Sequence, residues 1–264
     1  MASSEQIAAQ ILNTKSLAVS QNWLNTFLTT SNSAQRNLPA SALTKTALFR
    51  VLASDFRESL STSPSSILPV DIFDPTVQER RIQGPVPVQV LDIEDIGTSL
   101  WSQVEAIERV ERGEAIRGRE VVRTIPMGDD NEGADNGNGR TNNPAAPNAS
   151  GSSGYGPHRL IIQDAAGTKT VAFEMKSIEG ISLEKLSIGA KLVLRNATVA
   201  RGMVLLNPGC ATLLGGKIDA LDRPWKQDRK KRLLERISTL QVVGAVQLCL
   251  ANNNAHWATL NCYF

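Results

Sequence analysis

The chain has 264 residues, 41% of them hydrophobic, and a formal charge of +2 from 28 basic and 26 acidic groups. This length and hydrophobic content allow one or two domains with a substantial core, and exclude a fibrous or wholly disordered chain. The near balance of charge argues against strong unassisted attraction to a polyanion.

The cysteines and the hydropathy pattern indicate a reducing compartment. Cys210, Cys249 and Cys262 are widely spaced, odd in number and without a histidine cluster, which argues against a disulfide framework and a zinc site. No window reaches the roughly 18 apolar residues of a membrane span, and the N-terminus lacks a secretory pattern. We therefore expect a cytosolic or nuclear protein.

Residues 1–68 have a helical pattern. Ser4, Ser20 and Ser41 are candidate N-caps. Apolar residues recur three and four apart in two stretches, namely Trp23, Leu24, Phe27 and Leu28, and then Leu43, Ala47, Leu48, Val51, Leu52 and Phe56. These spacings predict a three-helix bundle in which Trp23 is a core anchor. A bundle of about 60 residues is marginal alone, so it should lean on a neighbouring domain.

The period changes after the linker STSPSSILPVDIFDP. Val86, Val88 and Val90 alternate as in a strand, and Ser102 with Glu105 forms a candidate capping box for a helix that carries Trp101 as a second core anchor. HRLIIQDAAGTKTVAFEM then predicts a hairpin, with Phe173 directed to the core.

Two more strands follow in KLVLRNATVARGMVLLNP, around a tight turn at Arg201 and Gly202. CATLLGG and the helix ALDRPWKQDRKKRLLERI come next. This order is that of a five-stranded OB barrel. The predicted fold class is therefore α+β: an N-terminal three-helix bundle (1–68) packed on an OB-fold β-barrel (69–237), and a tail of unknown role (238–264).

A long insert, residues 113–156, separates the first and second barrel strands. Its stretch GDDNEGADNGNGRTNNPAAPNASGSSG contains no apolar side chain larger than alanine apart from proline. Such a segment cannot bury enough surface to offset an ordering entropy of roughly 1 to 2 kcal/mol per residue, so we expect it to be disordered when alone.

The stretch SIGAKLVLRNATVARGMVLLNPGCATLLGGKIDAL resembles the core signature of the RecQ-mediated genome instability protein 1 family. It has a Gly-led strand, an R-x-G turn, a leucine-rich strand ending at Pro208 and a Leu-Gly-Gly run. QVLDIEDIGTSLWSQVEAI and RLIIQDAAG resemble the family's first strand with its following helix and its second strand. The match runs from about Ser20 to Leu221. With no counterpart of the second OB domain of longer animal members, the chain is similar to a short, fungal-type member.

The resemblance implies a nuclear, non-catalytic subunit that binds a type IA topoisomerase (topoisomerase III) and a RecQ-type helicase. Such a complex decatenates DNA and dissolves double Holliday junctions in homologous recombination and repair. The insert takes the place of a family loop that reaches into the DNA gate of the topoisomerase. No cofactor, metal, membrane or small-molecule substrate is expected, and DNA contact should be weak outside the complex.

The candidate site residues fall into two groups. The insert residues expected to touch the topoisomerase are Ile116, Arg117, Arg119, Val121, Val122 and Ile125. Candidates for docking or DNA contact on the barrel face are Lys191, Arg195, Arg201 and Lys217. The basic run WKQDRKKRLLER is either a solvated helix face or an import signal or phosphate patch.

Two other functions fit the sequence less well. A single-stranded nucleic-acid-binding OB protein needs aromatic side chains on which bases stack, and between Val86 and Ile218 the aromatics are Trp101, Tyr155 and Phe173 only. An enzyme is disfavoured because the sequence has no phosphate-binding loop, nucleophile elbow or Cys/His constellation. His158 and His256 have no evident acidic partner in the sequence pattern.

Overall fold

The computed structural model describes residues 4–34, 39–116, 119–120 and 157–241. The helices are α1 (Ser4–Lys15), α2 (Gln21–Ala34), α3 (Ala40–Leu52), α4 (Phe56–Ser59), α5 (Leu100–Glu111), α6 (Asp219–Gln227) and α7 over residues 229–241. The strands are β1 (Arg80–Ile82), β2 (Val86–Asp95), β3 (Ala115–Ile116), β4 (Arg119–Glu120), β5 (His158–Asp164), β6 (Lys169–Glu174), β7 (Lys191–Leu194), β8 (Ala197–Ala200), β9 (Met203–Leu206) and β10 (Ala211–Gly215).

The N-terminal helices enclose a core of their own around Ile11, Leu24 and Phe56. Helix α1 packs against both α2 and α3, and α2 packs against α4. The predicted cap at Ser41 is wrong: Pro39 is the N-cap of α3, without a side-chain cap, so Ser41 lies inside the helix.

The helical region ends in a short fourth helix that the sequence pattern did not separate from α3. The Asp55 side chain accepts a hydrogen bond from the Arg57 backbone N–H at 2.9 Å and caps α4. A carboxylate at this position satisfies a donor that has no partner within the helix. The segment between α3 and α4 thereby forms a corner, which we call the helical corner (residues 52–57).

The strands form the barrel. β2 pairs with β5, β5 with β6, β6 in parallel with β9, and β9 with β8, while β7 pairs back with β2. β7 and β8 follow each other around Arg195 and Asn196, and β1 and β10 lie at the edges of the curled sheet, beside β8 and β7. Val88, Leu160 and Leu192 are completely buried within it. This confirms the predicted α+β class, with a helical domain followed by an OB-fold.

Strand β2 is buried on both faces along its first half. Val86, Val88 and Val90 belong to the barrel core, as their alternation predicted. Gln89 points the other way but is also fully buried, because the helical corner covers the outer face and the Phe56 backbone N–H donates to Gln89 Oε1 at 3.0 Å. The helical domain is therefore docked on the barrel.

The inward face of β6 differs from the prediction. Ala172 is fully buried opposite Leu160, whereas Phe173 is half-exposed opposite Arg159. Residues directly across an antiparallel pair share a face, so the register with the buried Leu160 places Phe173 on the outside. The prediction that Phe173 points into the core is wrong.

Helices α5 and α7 pack on each other through Val104, Leu233 and Ile237. The N-cap of α5 is Ser99, whose hydroxyl accepts from the Ser102 backbone N–H at 3.1 Å, instead of the predicted Ser102. The predicted helix 220–237 is broken at Asp228, which ends α6 before α7 begins.

Candidate protein-docking surface

Barrel strands one and two, β2 and β5, border the insert at one end of the barrel. The Ile96 backbone N–H donates to the Pro157 carbonyl at 3.1 Å, so the end of β2 and the start of β5 lie side by side. Met175, directly after β6, donates from its backbone N–H to the Leu206 carbonyl at 2.8 Å. The chain therefore returns from the insert beside three strand ends that are held in register.

A turn at Asp95 connects β2 to α5 and fixes the helix. Asp95 Oδ1 accepts from the Gly97 backbone N–H at 2.7 Å, and Oδ2 accepts from the Thr98 hydroxyl at 2.9 Å. Gln103 Nε2 donates to the Asp95 and Thr98 carbonyls at 3.0 and 3.1 Å. Because the turn and the first turn of α5 are tied together, the side chains that project from them have defined positions.

Three large apolar side chains are exposed at this end of the barrel: Ile96 (47%), Trp101 (58%) and Met175 (61%). We call them the loop-root surface. The prediction that Trp101 is a core anchor is wrong, because α5 buries Val104 and leaves Trp101 to solvent. Large apolar side chains exposed at one end of a fold are a feature of surfaces that another protein covers.

A buried acid–imidazole pair lies directly behind these strand ends. His158 Nδ1 and Glu174 Oε2 are 2.5 Å apart, with both side chains 3% exposed. Glu174 Oε1 accepts from the Ile178 backbone N–H at 2.7 Å. His158 therefore has the acidic partner that the sequence pattern did not reveal, and the pair joins the first residue of β5 to the end of β6.

The predicted insert contacts lie mostly outside the described residues. Ile116 and Arg119 pair in the two-residue ladder between β3 and β4. Arg117, Val121, Val122 and Ile125 fall in ranges that the structure does not describe.

The four barrel candidates do not form one face. Lys191 is completely buried, so its predicted place on an exposed docking face is wrong. Arg195 Nη2 donates to the Ser16 hydroxyl at 2.6 Å and ties the barrel to the helical domain. Lys217 pairs with Asp219 at 2.7 Å, and this hydrogen bond raises the pKa of Lys217. Arg201 occupies an exposed turn with φ +47°.

Lys191 is the centre of a polar cluster between the barrel and the helical corner. Its Nζ donates to the Ser54 carbonyl at 2.7 Å and to Gln89 Oε1 at 2.8 Å, and it lies 4.4 Å from the centre of the Phe56 ring. Gln89 Nε2 in turn donates to Asp55 Oδ1 at 2.9 Å. The cluster links β2 and β7 to both ends of the turn that precedes α4.

Burial at Lys191 and hydrogen bonding at Asp55 determine the protonation of this cluster. It lowers the pKa of Lys191 to about 7, and the attraction of Asp55 opposes only part of that effect. Burial alone would raise the pKa of Asp55, but hydrogen bonds from Arg57 and Gln89 outweigh it and lower the value to about 2. Asp55 is therefore ionised at neutral pH, while Lys191 is close to its midpoint.

The basic run 225–236 is largely neutralised by nearby carboxylates. Arg236 pairs with Glu94 at 2.6 Å and Lys230 with Glu111 at 2.7 Å. Lys226 pairs with the buried Asp222 at 2.6 Å. The first two pairs attach α7 to β2 and α5, and the third lies within α6, which supports the interpretation of the run as a helix face over that of a phosphate patch.

Two negative findings concern the described residues. They contain no group of three or more His, Cys, Asp or Glu side chains that could hold a metal ion. Among the described helices, none has the length and apolar character needed to cross a bilayer.

A helical domain docked on an OB barrel, with a long insert between the first two barrel strands, defines a class of two-domain OB-fold proteins. Family models support this class: "RMI1, N-terminal helical domain" matches residues 11–59, and "RMI1, N-terminal OB-fold domain" matches residues 68–229. RecQ-mediated genome instability protein 1 of Schizosaccharomyces pombe is 30% identical over 189 residues, which is 71% of this chain and 76% of that protein. The chain belongs to the RMI1 family.

Proposed function

We propose that this protein is a non-catalytic subunit that binds a type IA topoisomerase (topoisomerase III) and acts with a RecQ-type helicase in genome maintenance. Membership of the family supports a role linked to RecQ, as the name of the fission-yeast relative states for that protein. On this proposal the protein works in the nucleus, stimulates decatenation and double Holliday junction dissolution, and meets DNA mainly within the complex.

The observation that carries the proposal is the loop-root surface beside the insert. Ile96, Trp101 and Met175 are exposed at the end of the barrel where the insert returns to β5. A partner that covers these side chains is thereby held next to residues 113–156. The well-braced strand ends act as a platform, since a docking surface that is already ordered loses little conformational entropy on binding.

The composition of the insert suits contact with a moving partner. Its first part is apolar and basic, and Ile116, Arg117, Arg119, Val121, Val122 and Ile125 are proposed to touch the topoisomerase. Its tip carries Asp129, Asp130, Glu132 and Asp135 against Arg140, and so disfavours contact with DNA phosphate. If the insert binds the open gate better than the closed gate, it raises the population of the open state.

The test separates docking from the action of the insert. Trp101→Asp should weaken binding to purified topoisomerase III by about 30-fold, as expected for a central aromatic anchor. Val70→Asp is the control, because Val70 is 80% exposed but lies away from the loop-root surface. It is two residues after Leu68, whose backbone N–H donates to Asp164 at the opposite end of β5. Replacing residues 121–156 by a short Gly/Ser linker should preserve binding and reduce decatenation.

Equal binding by wild type and Trp101→Asp would contradict the docking surface, and unchanged decatenation by the linker variant would contradict the role of the insert. Single-stranded DNA titration tests the alternative function. A submicromolar dissociation constant for the isolated protein at near-physiological salt would favour a nucleic-acid-binding protein instead.

A further inference from the structure

The helical domain contains an open cleft that lies apart from the loop-root surface. Its volume is about 730 Å³, and its walls come from α2 and from the end of α3 with the helical corner. Helix α1 packs on α2 and on α3, but α2 and α3 make little contact with each other along their described lengths. The cleft runs along α2, and its opposite wall consists of Arg50 at the end of α3, Ala53, Ser54 and Glu58.

One wall of the cleft is aromatic. Trp23 and Phe27 lie one turn apart on α2 and stack with ring centres 5.7 Å apart and planes at 3°. Both are half-buried: they pack partly on the helical core and partly line the cleft. Trp23 is therefore only in part the core anchor that the sequence predicted.

The other wall is charged. Arg50 of α3 and Glu58 of α4 both line the cleft and are exposed. Neither side chain forms an ion pair with another described residue. An occupant with an acidic group opposite Arg50 would therefore meet a cation that has no ion-pair partner among the described residues.

Two classes of occupant fit this arrangement poorly. Bases of single-stranded nucleic acid stack on free aromatic faces in a positively charged groove, whereas here Trp23 and Phe27 already stack on each other and the cleft carries one cation, Arg50, beside one anion, Glu58. Buried small-molecule sites enclose most of the ligand surface, whereas this cleft is open to solvent along the two helices.

We propose that the cleft binds an amphipathic α-helix of a partner protein, which packs along α2 and faces Arg50 and the helical corner across the cleft. Apolar residues at positions i, i+3 or i+4 and i+7 of that helix cover Trp23 and Phe27, and an acidic residue pairs with Arg50. The site is independent of the loop-root surface, so the inference stands whether or not that surface binds a topoisomerase.

Photo-crosslinking from adjacent positions of α2 tests the proposal on the full chain. p-Benzoylphenylalanine replaces Thr26, which is exposed and lines the cleft, or Asn25, which is also exposed but does not line it. After irradiation in cells that express the protein, the crosslinked peptides are identified by mass spectrometry. We expect position 26, and not position 25, to capture a segment with helical apolar spacing and an acidic residue.

The captured segment is then synthesised as a labelled peptide and titrated against purified protein. Arg50→Glu should weaken its binding about tenfold, and replacing the acidic residue of the peptide by lysine should restore binding to that variant. Circular dichroism of each protein variant shows whether the helical domain is folded.

Four results would overturn the inference. They are equal crosslinking at positions 25 and 26, capture of nucleic acid, capture of a second copy of this chain, and a captured peptide whose affinity is insensitive to Arg50→Glu.

Discussion

The substitution Lys191→Met provides the sharpest test of how the helical domain is attached to the barrel. Methionine has nearly the length of lysine but carries no charge and no donor. It removes the hydrogen bonds to the Ser54 carbonyl and to Gln89 Oε1. Gln89 Oε1 keeps its other hydrogen bond, which it accepts from the Phe56 backbone N–H. We expect the variant to fold, because a buried charge is replaced by an apolar side chain of similar volume.

The magnitude follows from the pKa of Lys191. Burial lowers this pKa from 10.5 to about 7, and each pH unit corresponds to about 1.36 kcal/mol. Between these values the unfolded chain retains a proton that the folded chain has released, so the folded state gains stability as the pH rises. From pH 7.5 to pH 9 the wild type should gain about 2 kcal/mol relative to Lys191→Met.

Urea unfolding at pH 6, 7.5 and 9, followed by circular dichroism, measures this difference. Lys185→Met is the matched control, because Lys185 is exposed and its side chain makes no contact with the cluster. Its pH profile should follow that of the wild type. If the wild type and Lys191→Met change in parallel over this pH range, Lys191 does not occupy a desolvated site in the folded protein, and the reasoning fails.

Two further predictions concern the same junction. Asp55→Asn should lower the free energy of unfolding by about 1 to 2 kcal/mol at neutral pH, because it replaces the Oδ2 that accepts from the Arg57 guanidinium while keeping a side chain that can cap α4. Since the pKa of Asp55 is about 2, this contribution should disappear as the pH falls from about 4 to 2, which acid titration of the unfolding free energy would check. Gly216→Ala should lower the free energy of unfolding by at least about 2 kcal/mol, because an added Cβ would overlap the Leu52 carbonyl. Gly215 has a similar positive φ of +80°, but no atom lies near its added Cβ, so Gly215→Ala should lower this free energy by only about 1 kcal/mol. Thermal unfolding of the two glycine variants compares them directly, and equal losses would argue against close contact between the barrel and α3.

Several features of the candidate site were hidden from the sequence for a physical reason. Trp101 and Val104 lie three residues apart and both are apolar, so periodicity placed them on one buried face. The structure buries Val104 against α7 and exposes Trp101, because the width of the buried face of α5 depends on the element that packs against it. In the same way the acidic partner of His158 is Glu174, which is sixteen residues away and reaches it only through the pairing of β5 with β6.

The sequence alone determined the elements whose signals are local. The alternation of Val86, Val88 and Val90 predicted a barrel strand, and the order of strands and helices predicted a helical domain followed by an OB fold, as the structure and the family match confirm. Such signals depend on backbone geometry and on burial of one face, which repeat every few residues.

Only the tertiary structure decided what covers the second face of each element. Gln89 and Lys191 are polar residues of the kind that usually occupy exposed strand positions. Both are completely buried, because the helical corner covers the outer side of β2 and β7. Burial on that side depends on contacts between residues as far apart as Ser54 and Lys191. Contacts between residues so far apart along the chain produce no repeating pattern in the sequence.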